Sequence, residues 1–190
     1  MAIETIKLKD GSVYEGEVAN GKPNGKGKLT IMHDGVYEGF FVDGLINGKG
    51  KYSGEYRGVY EGDFVNGRKI GKGKFTDGNE VYEGDYNFDR SHGQGKKTYY
   101  NGDVYEGEFR DGQVYGKGIM KYKNGDVYEG EVRYSQRDGK GILKHAAGKI
   151  EDGYWNDNNF MGEGEGGKAK KKEKSQARSE AYELQNRICP

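Results

Sequence analysis

What the chain lacks narrows it first. Cysteine occurs once in 190 residues, at Cys189, so no intrachain disulfide can form. That fits a reducing compartment and removes the small disulfide-stapled scaffolds. No apolar run approaches the ~20 residues of a membrane-spanning helix, and Met1 to Lys9 lacks the apolar centre of a secretory signal. Neither sign of charge is in excess: 31 basic and 31 acidic side chains give a formal net charge of +0. No global field therefore draws the chain to nucleic acid or to a membrane. A soluble intracellular protein is the expectation. Apolar residues are also scarce, at 32% with a mean hydropathy of −1.06, which by itself suggests disorder.

What is present argues the other way. Glycine (35) and tyrosine (16) are both abundant, and both are periodic. Tyr-Glu-Gly recurs at Tyr14, Tyr37, Tyr60, Tyr82, Tyr105 and Tyr128, in steps of 23, 23, 22, 23 and 23. Gly-x-Gly follows each Tyr by 11 residues, beginning at Gly25, Gly48, Gly71, Gly93, Gly116 and Gly139. A seventh, degenerate copy has Glu151 in the Tyr position and keeps Gly153, Gly162 and Gly164. "IKLKDGSVYEG" from Ile6 matches "MKYKNGDVYEG" from Met120, so the chain opens on half a repeat. A fixed period of this length marks an array of one supersecondary unit.

Each unit reads as strand, turn, strand, turn. The residue four after Tyr is apolar or aromatic throughout: Val18, Phe41, Phe64, Tyr86, Phe109, Val132 and Trp155. Asn-Gly or Asp-Gly follows, as at Asn20-Gly21, Asp43-Gly44, Asn66-Gly67 and Asp111-Gly112, the strongest short hairpin signal. Folding about Asn20-Gly21 predicts Glu15 opposite Lys26, Gly16 opposite Gly25 and Tyr14 opposite Gly27. It likewise pairs Glu38 with Lys49, Glu61 with Lys72, Glu106 with Lys117 and Glu129 with Lys140. The second reversal is predicted as a three-residue loop, Asn124-Gly125-Asp126, with a bulge. Glycines facing one another leave a strip without side chains, over which a Tyr ring can lie flat. The expected fold is all-β: an elongated, twisted, single-layer antiparallel sheet of tandem β-hairpins, with roughly fifteen strands spanning about 70 Å, followed by a short C-terminal α-helix.

"GDVYEGEFRDGQVYGKGIMKYKNG", Gly102 to Gly125, closely resembles the consensus of MORN (membrane occupation and recognition nexus) repeats. The likeness covers about residues 5–165. It implies hairpins strung into a curved sheet, without catalytic residues in the repeat. Proteins of this kind include ciliary and radial-spoke components, cytoskeletal scaffolds, membrane tethers such as junctophilins, and arrays fused to a lipid kinase or methyltransferase. By this resemblance the array is residues 1–166, a half repeat at 5–12 and then seven repeats. Residues 167–190 form a basic linker and an amphipathic helix. Two units depart from the pattern, through "SGEYRG" in the third and "FDRSHGQG" in the fourth.

The tail has almost no glycine. Ala177, Ala181, Leu184 and Ile188 form one stripe of a helix expected over Lys170–Arg187. This stripe is the candidate tail contact, on the array or on a partner.

No catalytic, cofactor-binding or metal-ligating residue is expected. The Tyr-Glu-Gly glutamates face lysines on a solvated surface, no Gly-Lys segment fits a phosphate loop, and the three histidines occupy unrelated repeat positions. The partner-binding residues are taken to be the aromatic face: Tyr14, Tyr37, Phe41, Tyr60, Phe64, Tyr82, Tyr86, Tyr105, Phe109, Tyr128 and Trp155. A long apolar groove there would hold a helix or an extended segment of another protein, unless stacking within the chain consumes the face. Lys168, Lys170, Lys171, Lys172 and Lys174 are either a solvated linker or a contact for anionic lipid. Ile3, Ile6 and Leu8 lie on a first strand that could pair with another copy. The resulting expectation is a non-enzymatic scaffold in a ciliary, flagellar or other cytoskeletal assembly. The alternative is a peripheral membrane adaptor, and no cofactor or nucleic acid is expected in either case.

Overall fold

The computed structural model describes residues 2–188, with side chains described for all of these except 165, 166 and 180–188. The chain divides into two compact units, Met1–Gln113 and Val114–Pro190. The first holds β1 (Ala2–Lys7), β2 (Val13–Ala19), β3 (Lys22–Ile31), β4 (Gly35–Val42), β5 (Leu45–Gly54), β6 (Gly58–Val65), β7 (Arg68–Thr76), β8 (Glu80–Asn87), β9 (Arg90–Tyr99) and β10 (Val104–Arg110). The second holds β11 (Gln113–Lys121), β12 (Val127–Arg133), β13 (Gln136–Lys144), β14 (Ile150–Asn156), β15 (Asn159–Gly162) and the helix α1 (Gly164–Ile188). In each unit the strands pair antiparallel in chain order, and the sheet stays open. This is the all-β array of tandem hairpins with a C-terminal helix that the repeat implies.

The first reversal of each repeat is the two-residue turn expected. Asn66 and Gly67 both have positive φ (50° and 79°), as a turn matching the right-handed strand twist requires. The same shape persists where the sequence departs from it. Phe88 and Asp89 (φ 45° and 70°), Tyr134 and Ser135, and Asp157 and Asn158 adopt it without glycine. A side-chain bond anchors Asp89: its carboxylate accepts from the Lys69 amide at 2.9 Å and pairs with Arg68 at 2.9 Å. Turns also lean on the preceding hairpin. The Gly67 amide donates to the Ile46 carbonyl (2.9 Å) and the Gly112 amide to Ser91 (2.9 Å).

The register differs from the expected one by two residues. Next to the turn the prediction holds, with Ala19 opposite Lys22 and Val18 opposite Pro23. A β-bulge then intervenes, and Gly16 faces Gly27, Glu15 faces Lys28 and Tyr14 faces Leu29. The same shift puts Glu38 opposite Lys51, Glu61 opposite Lys74 and Glu129 opposite Ile142. The second reversal is a three-residue loop as expected, but over Lys123–Gly125. The Tyr122 amide bonds the Asp126 carbonyl at 2.9 Å, with Gly125 at φ 90°. The one-residue deletion after Gly73 falls in the corresponding loop, where the Asp77 carboxylate holds the Asn79 and Glu80 amides.

α1 begins at Gly164, six residues before the helix propensity predicts. Glycine is a poor helix former, but a Cβ on Gly167 would collide with the Gly162 carbonyl. The helix backbone thus touches the end of β15. Lys171 pairs with Asp138 (2.8 Å) and Arg178 with Asp157 (2.7 Å), so α1 lies on its own unit. None of the described helical residues forms a stretch long and apolar enough to cross a membrane.

The two glycine classes make a testable contrast. A Cβ on Gly73 would sit 2.5 Å from Cε2 and Cζ of the buried Tyr60 ring, whereas nothing lies within 4 Å of Gly67. Gly73→Ala is expected to lower stability by about 1–3 kcal/mol through overpacking. Gly67→Ala costs about 1–2 kcal/mol from left-handed backbone strain alone. Gly73→Val should widen the gap and Gly67→Ser should not, as read by urea midpoints.

Candidate functional site

The two faces of the sheet have opposite fates. On one, Tyr60 lies across the facing pair Gly62 and Gly73. Its hydroxyl donates to the carbonyl of Asp63, the residue opposite the bulge, at 3.2 Å. All six repeats make this bond: Tyr14 to Glu17 (2.7 Å), Tyr37 to Phe40 (3.3 Å), Tyr82 to Asp85 (2.8 Å), Tyr105 to Glu108 (3.1 Å) and Tyr128 to Glu131 (2.8 Å). The ring thus satisfies a carbonyl displaced from the ladder by the bulge. The side chain of that same residue satisfies an amide within the bulge on the return strand. Glu17 accepts from Lys26 N (3.1 Å), Asp63 from Lys72 N (3.4 Å) and Asp85 from Gln94 N (3.0 Å).

The residue four after Tyr completes the packing edge-on. Phe41 meets both Tyr14 and Tyr37, with centroids 4.9 and 5.3 Å apart, and Phe64 meets Tyr37 and Tyr60 at 5.2 and 5.1 Å. The zigzag runs on through Tyr86, Tyr82 and Phe109 to Tyr105. In the second unit Trp155 takes this place against Tyr128 at 5.6 Å and donates its indole N–H to the Gly141 carbonyl at 3.0 Å.

The eleven aromatic residues singled out for partner binding are each 8% exposed or less. Stacking within the chain consumes them, so among the described residues they leave no open aromatic groove. The physical reason is the glycine pair: it lets each ring lie flat and close enough for its neighbour to seal the edge.

The opposite face is open and polar. In the first unit it forms a trough of about 1390 Å³ running from Glu38 to Gly107. Its floor is the back of the glycine strip, including Gly50, Gly62 and Gly73. One wall is a row in which every cross-strand neighbour has opposite charge. Lys28 faces Glu15 and Glu38, Lys51 faces Glu38 and Glu61, Lys74 faces Glu61 and Glu83, and Lys96 faces Glu83 and Glu106. The other wall carries Lys49 and Lys72, closed onto the bulge acids Asp63 (3.0 Å) and Asp85 (2.6 Å). The hydrogen bond from the Lys72 ammonium, and after it that from the Gln94 amide, hold the Asp85 carboxyl below its ordinary value.

Sequence reasoning missed this trough because it placed the concavity on the aromatic side. One residue breaks its pattern. Phe40 stands where other repeats have an acid, half out of the surface, with the Lys26 ammonium 5.6 Å from its ring centre. In the second unit the lysines of the alternating row become Ile142, facing Glu129 and Asp152, and Ile119, facing Glu129.

The degenerate repeat has its own tie. His145 places Nδ1 3.4 Å from Asp126 and Nε2 3.1 Å from Glu151, the residue in the Tyr position, and Lys149 pairs with Glu151 at 2.7 Å. The carboxylates lie on different ring nitrogens and do not converge, and no group that could hold a metal occurs among the described residues. The Lys149 and His145 hydrogen bonds lower the Glu151 carboxyl below its ordinary value. Of the tail residues, Lys168, Lys170, Lys172, Lys174 and Ala177 are exposed and Lys171 is partly covered. The side chains of Ala181, Leu184 and Ile188 lie outside the described residues.

Comparison with known families finds six matches to the MORN repeat, at residues 14–31, 37–55, 60–80, 82–104, 105–127 and 128–149. A comparison with curated proteins returns no match. MORN repeats form non-enzymatic scaffolds, occur in protein-binding and membrane-associated proteins, and generally mediate protein or lipid interactions.

The tyrosine geometry predicts two outcomes. Tyr60→Phe strands the Asp63 carbonyl and is expected to cost about 1 kcal/mol, read from the denaturant midpoint. Burial also raises the phenol pKa of all six repeat tyrosines above the ordinary value of 10.0. A raised pKa means stability fully present below about pH 10 and lost as pH climbs through the higher folded value. Ultraviolet titration should show these phenols ionising only together with loss of the β-sheet circular dichroism signal. Ionisation of all sixteen tyrosines in one transition with the fold intact would contradict this burial.

Proposed function

The chain belongs to the MORN-repeat family, and from that membership we propose that it is a non-enzymatic scaffold which holds a segment of a partner protein along the polar trough of its first unit. One observation carries this reading. The aromatic face is consumed by its own packing, while the trough is concave, open and lined by side chains held at fixed strand spacing. An interaction surface built on a rigid sheet costs little ordering on binding. The glutamates of the trough each face a lysine across the strands, an arrangement of paired opposite charge suited to recognition. A cytoskeletal setting, ciliary or flagellar, is part of the proposal and rests on the family likeness alone.

A second reading is contact with anionic lipid. The four exposed lysines Lys168, Lys170, Lys172 and Lys174 on α1 favour it, each worth roughly 1 kcal/mol near an anionic surface.

Affinity purification of the full chain separates the two. Lys51→Glu with Lys74→Glu is expected to lower partner recovery about tenfold, while glutamate at Lys170, Lys172 and Lys174 leaves it unchanged. The reverse pattern, together with flotation of the native chain on phosphoinositide vesicles at physiological salt, would transfer the function to the tail.

A further inference from the structure

The middle of the trough carries more information than its net charge suggests. Lys51, Glu61, Lys74 and Glu83 stand directly across from one another on β5, β6, β7 and β8. Yet none of the four closes an ion pair within 4.0 Å among the described residues, whereas neighbouring Lys49 and Lys72 are closed onto Asp63 and Asp85. Four charges of strictly alternating sign are therefore held open toward the trough. Their spacing is set by the sheet, at about 4.8 Å per strand, so the four span about 14.4 Å.

That spacing selects a secondary structure. On an α-helix, residues at i, i+3, i+7 and i+10 share one face, and at 1.5 Å per residue they span about 15 Å. Their mean separation is about 5 Å, so four helix charges of alternating sign fall opposite the four on the sheet. An extended strand lying along the same axis repeats its same-face side chains every ~6.8 Å. It slips by about 2 Å at the first step and 4 Å at the second, which brings like charges together. We infer that the segment seated in the trough is an α-helix bearing charges of alternating sign three and four residues apart along one face. The recognition is registral. Shifting the helix by one strand turns each attraction into a repulsion, while the absence of net charge leaves little attraction for simple polyanions or polycations. This inference rests on the trough being the partner surface.

The test uses the full chain and labelled synthetic peptides of roughly 20 residues, long enough to hold a helix in water. One carries Glu and Lys in alternation at the i, i+3, i+7, i+10 positions. A second, of identical composition, carries them as two Glu followed by two Lys. A third is the alternating peptide with a central proline, which breaks the helix. Fluorescence anisotropy at low ionic strength is expected to show the alternating peptide binding at least about tenfold more tightly than the other two. The charge-neutral double variant Lys51→Glu/Glu83→Lys, which converts the row to two acids followed by two bases, should reverse the preference between the first two peptides. Circular dichroism checks that this variant keeps its sheet. If it does not, the comparison of the three peptides on the native chain decides alone. Equal binding of the alternating and blocked peptides, tighter binding of the proline peptide, or no binding of any would overturn the inference. Should that happen while Lys51→Glu/Lys74→Glu still abolishes partner recovery, the trough remains the partner surface and only the helical, alternating chemistry falls.

Discussion

Everything in this sheet depends on a tyrosine ring lying flat over two facing glycines. A single-layer sheet has no second layer to bury its apolar face, and this chain is too polar to build one. The ring solves the problem locally. It covers the backbone of its own strand and the next, it meets the edge of a neighbouring ring, and its hydroxyl bonds the carbonyl that the bulge has freed. Edge-on aromatic contacts contribute roughly 0.5–1.5 kcal/mol each beyond the area they bury. In the first unit they form an unbroken chain from Tyr14 to Tyr105. The bulge is not incidental to this arrangement. The carbonyl that the Tyr hydroxyl takes is that of the residue opposite the bulge.

A consequence is that the two faces are decoupled. The aromatic face is saturated by contacts between adjacent repeats, so its energetics are those of a nearest-neighbour array. Substitutions there change stability. The polar face adds little stability, because exposed ion pairs are worth at most about 1 kcal/mol each. It is therefore free to vary in sequence without unfolding the array, and it does vary. Lysine gives way to Ile119 and Ile142, and the acid of the bulge gives way to Phe40.

Much of this was legible in the residues. The period, the Tyr-over-Gly joint, the turns at Asn20-Gly21 and its equivalents, and the tail helix all follow from spacing and residue type. The register beyond the bulge does not. The bulge adds two residues to the return strand, which preserves the inside–outside alternation, so patterning cannot distinguish Lys26 from Lys28 as the partner of Glu15. A signal existed all the same. The residue three after Tyr is acidic at Glu17, Asp63, Asp85, Glu108 and Glu131, directly before the buried position, where a solvated strand residue has no reason to be so uniform. An acid at that place is what an unpaired amide needs. The early start of α1 was hidden for a similar reason: Gly167 serves a close contact with β15 that helix propensity does not register. The aromatic residues read as available surface in the sequence because their burial against one another depends on the folded register.

Where side chains of one kind recur in every repeat and are buried against one another, their regularity reports the fold. Specificity has to reside in groups that the fold leaves unsatisfied. On the proposed reading, those of the first unit are the charges of β5 to β8, which face unlike neighbours without closing on them. The sheet fixes the spacing of their Cα atoms through its backbone hydrogen bonds. A partner that matches the spacing gains several weak attractions at once, and one that is off by a single strand loses them all. A neutral surface can thus be selective while remaining silent at long range.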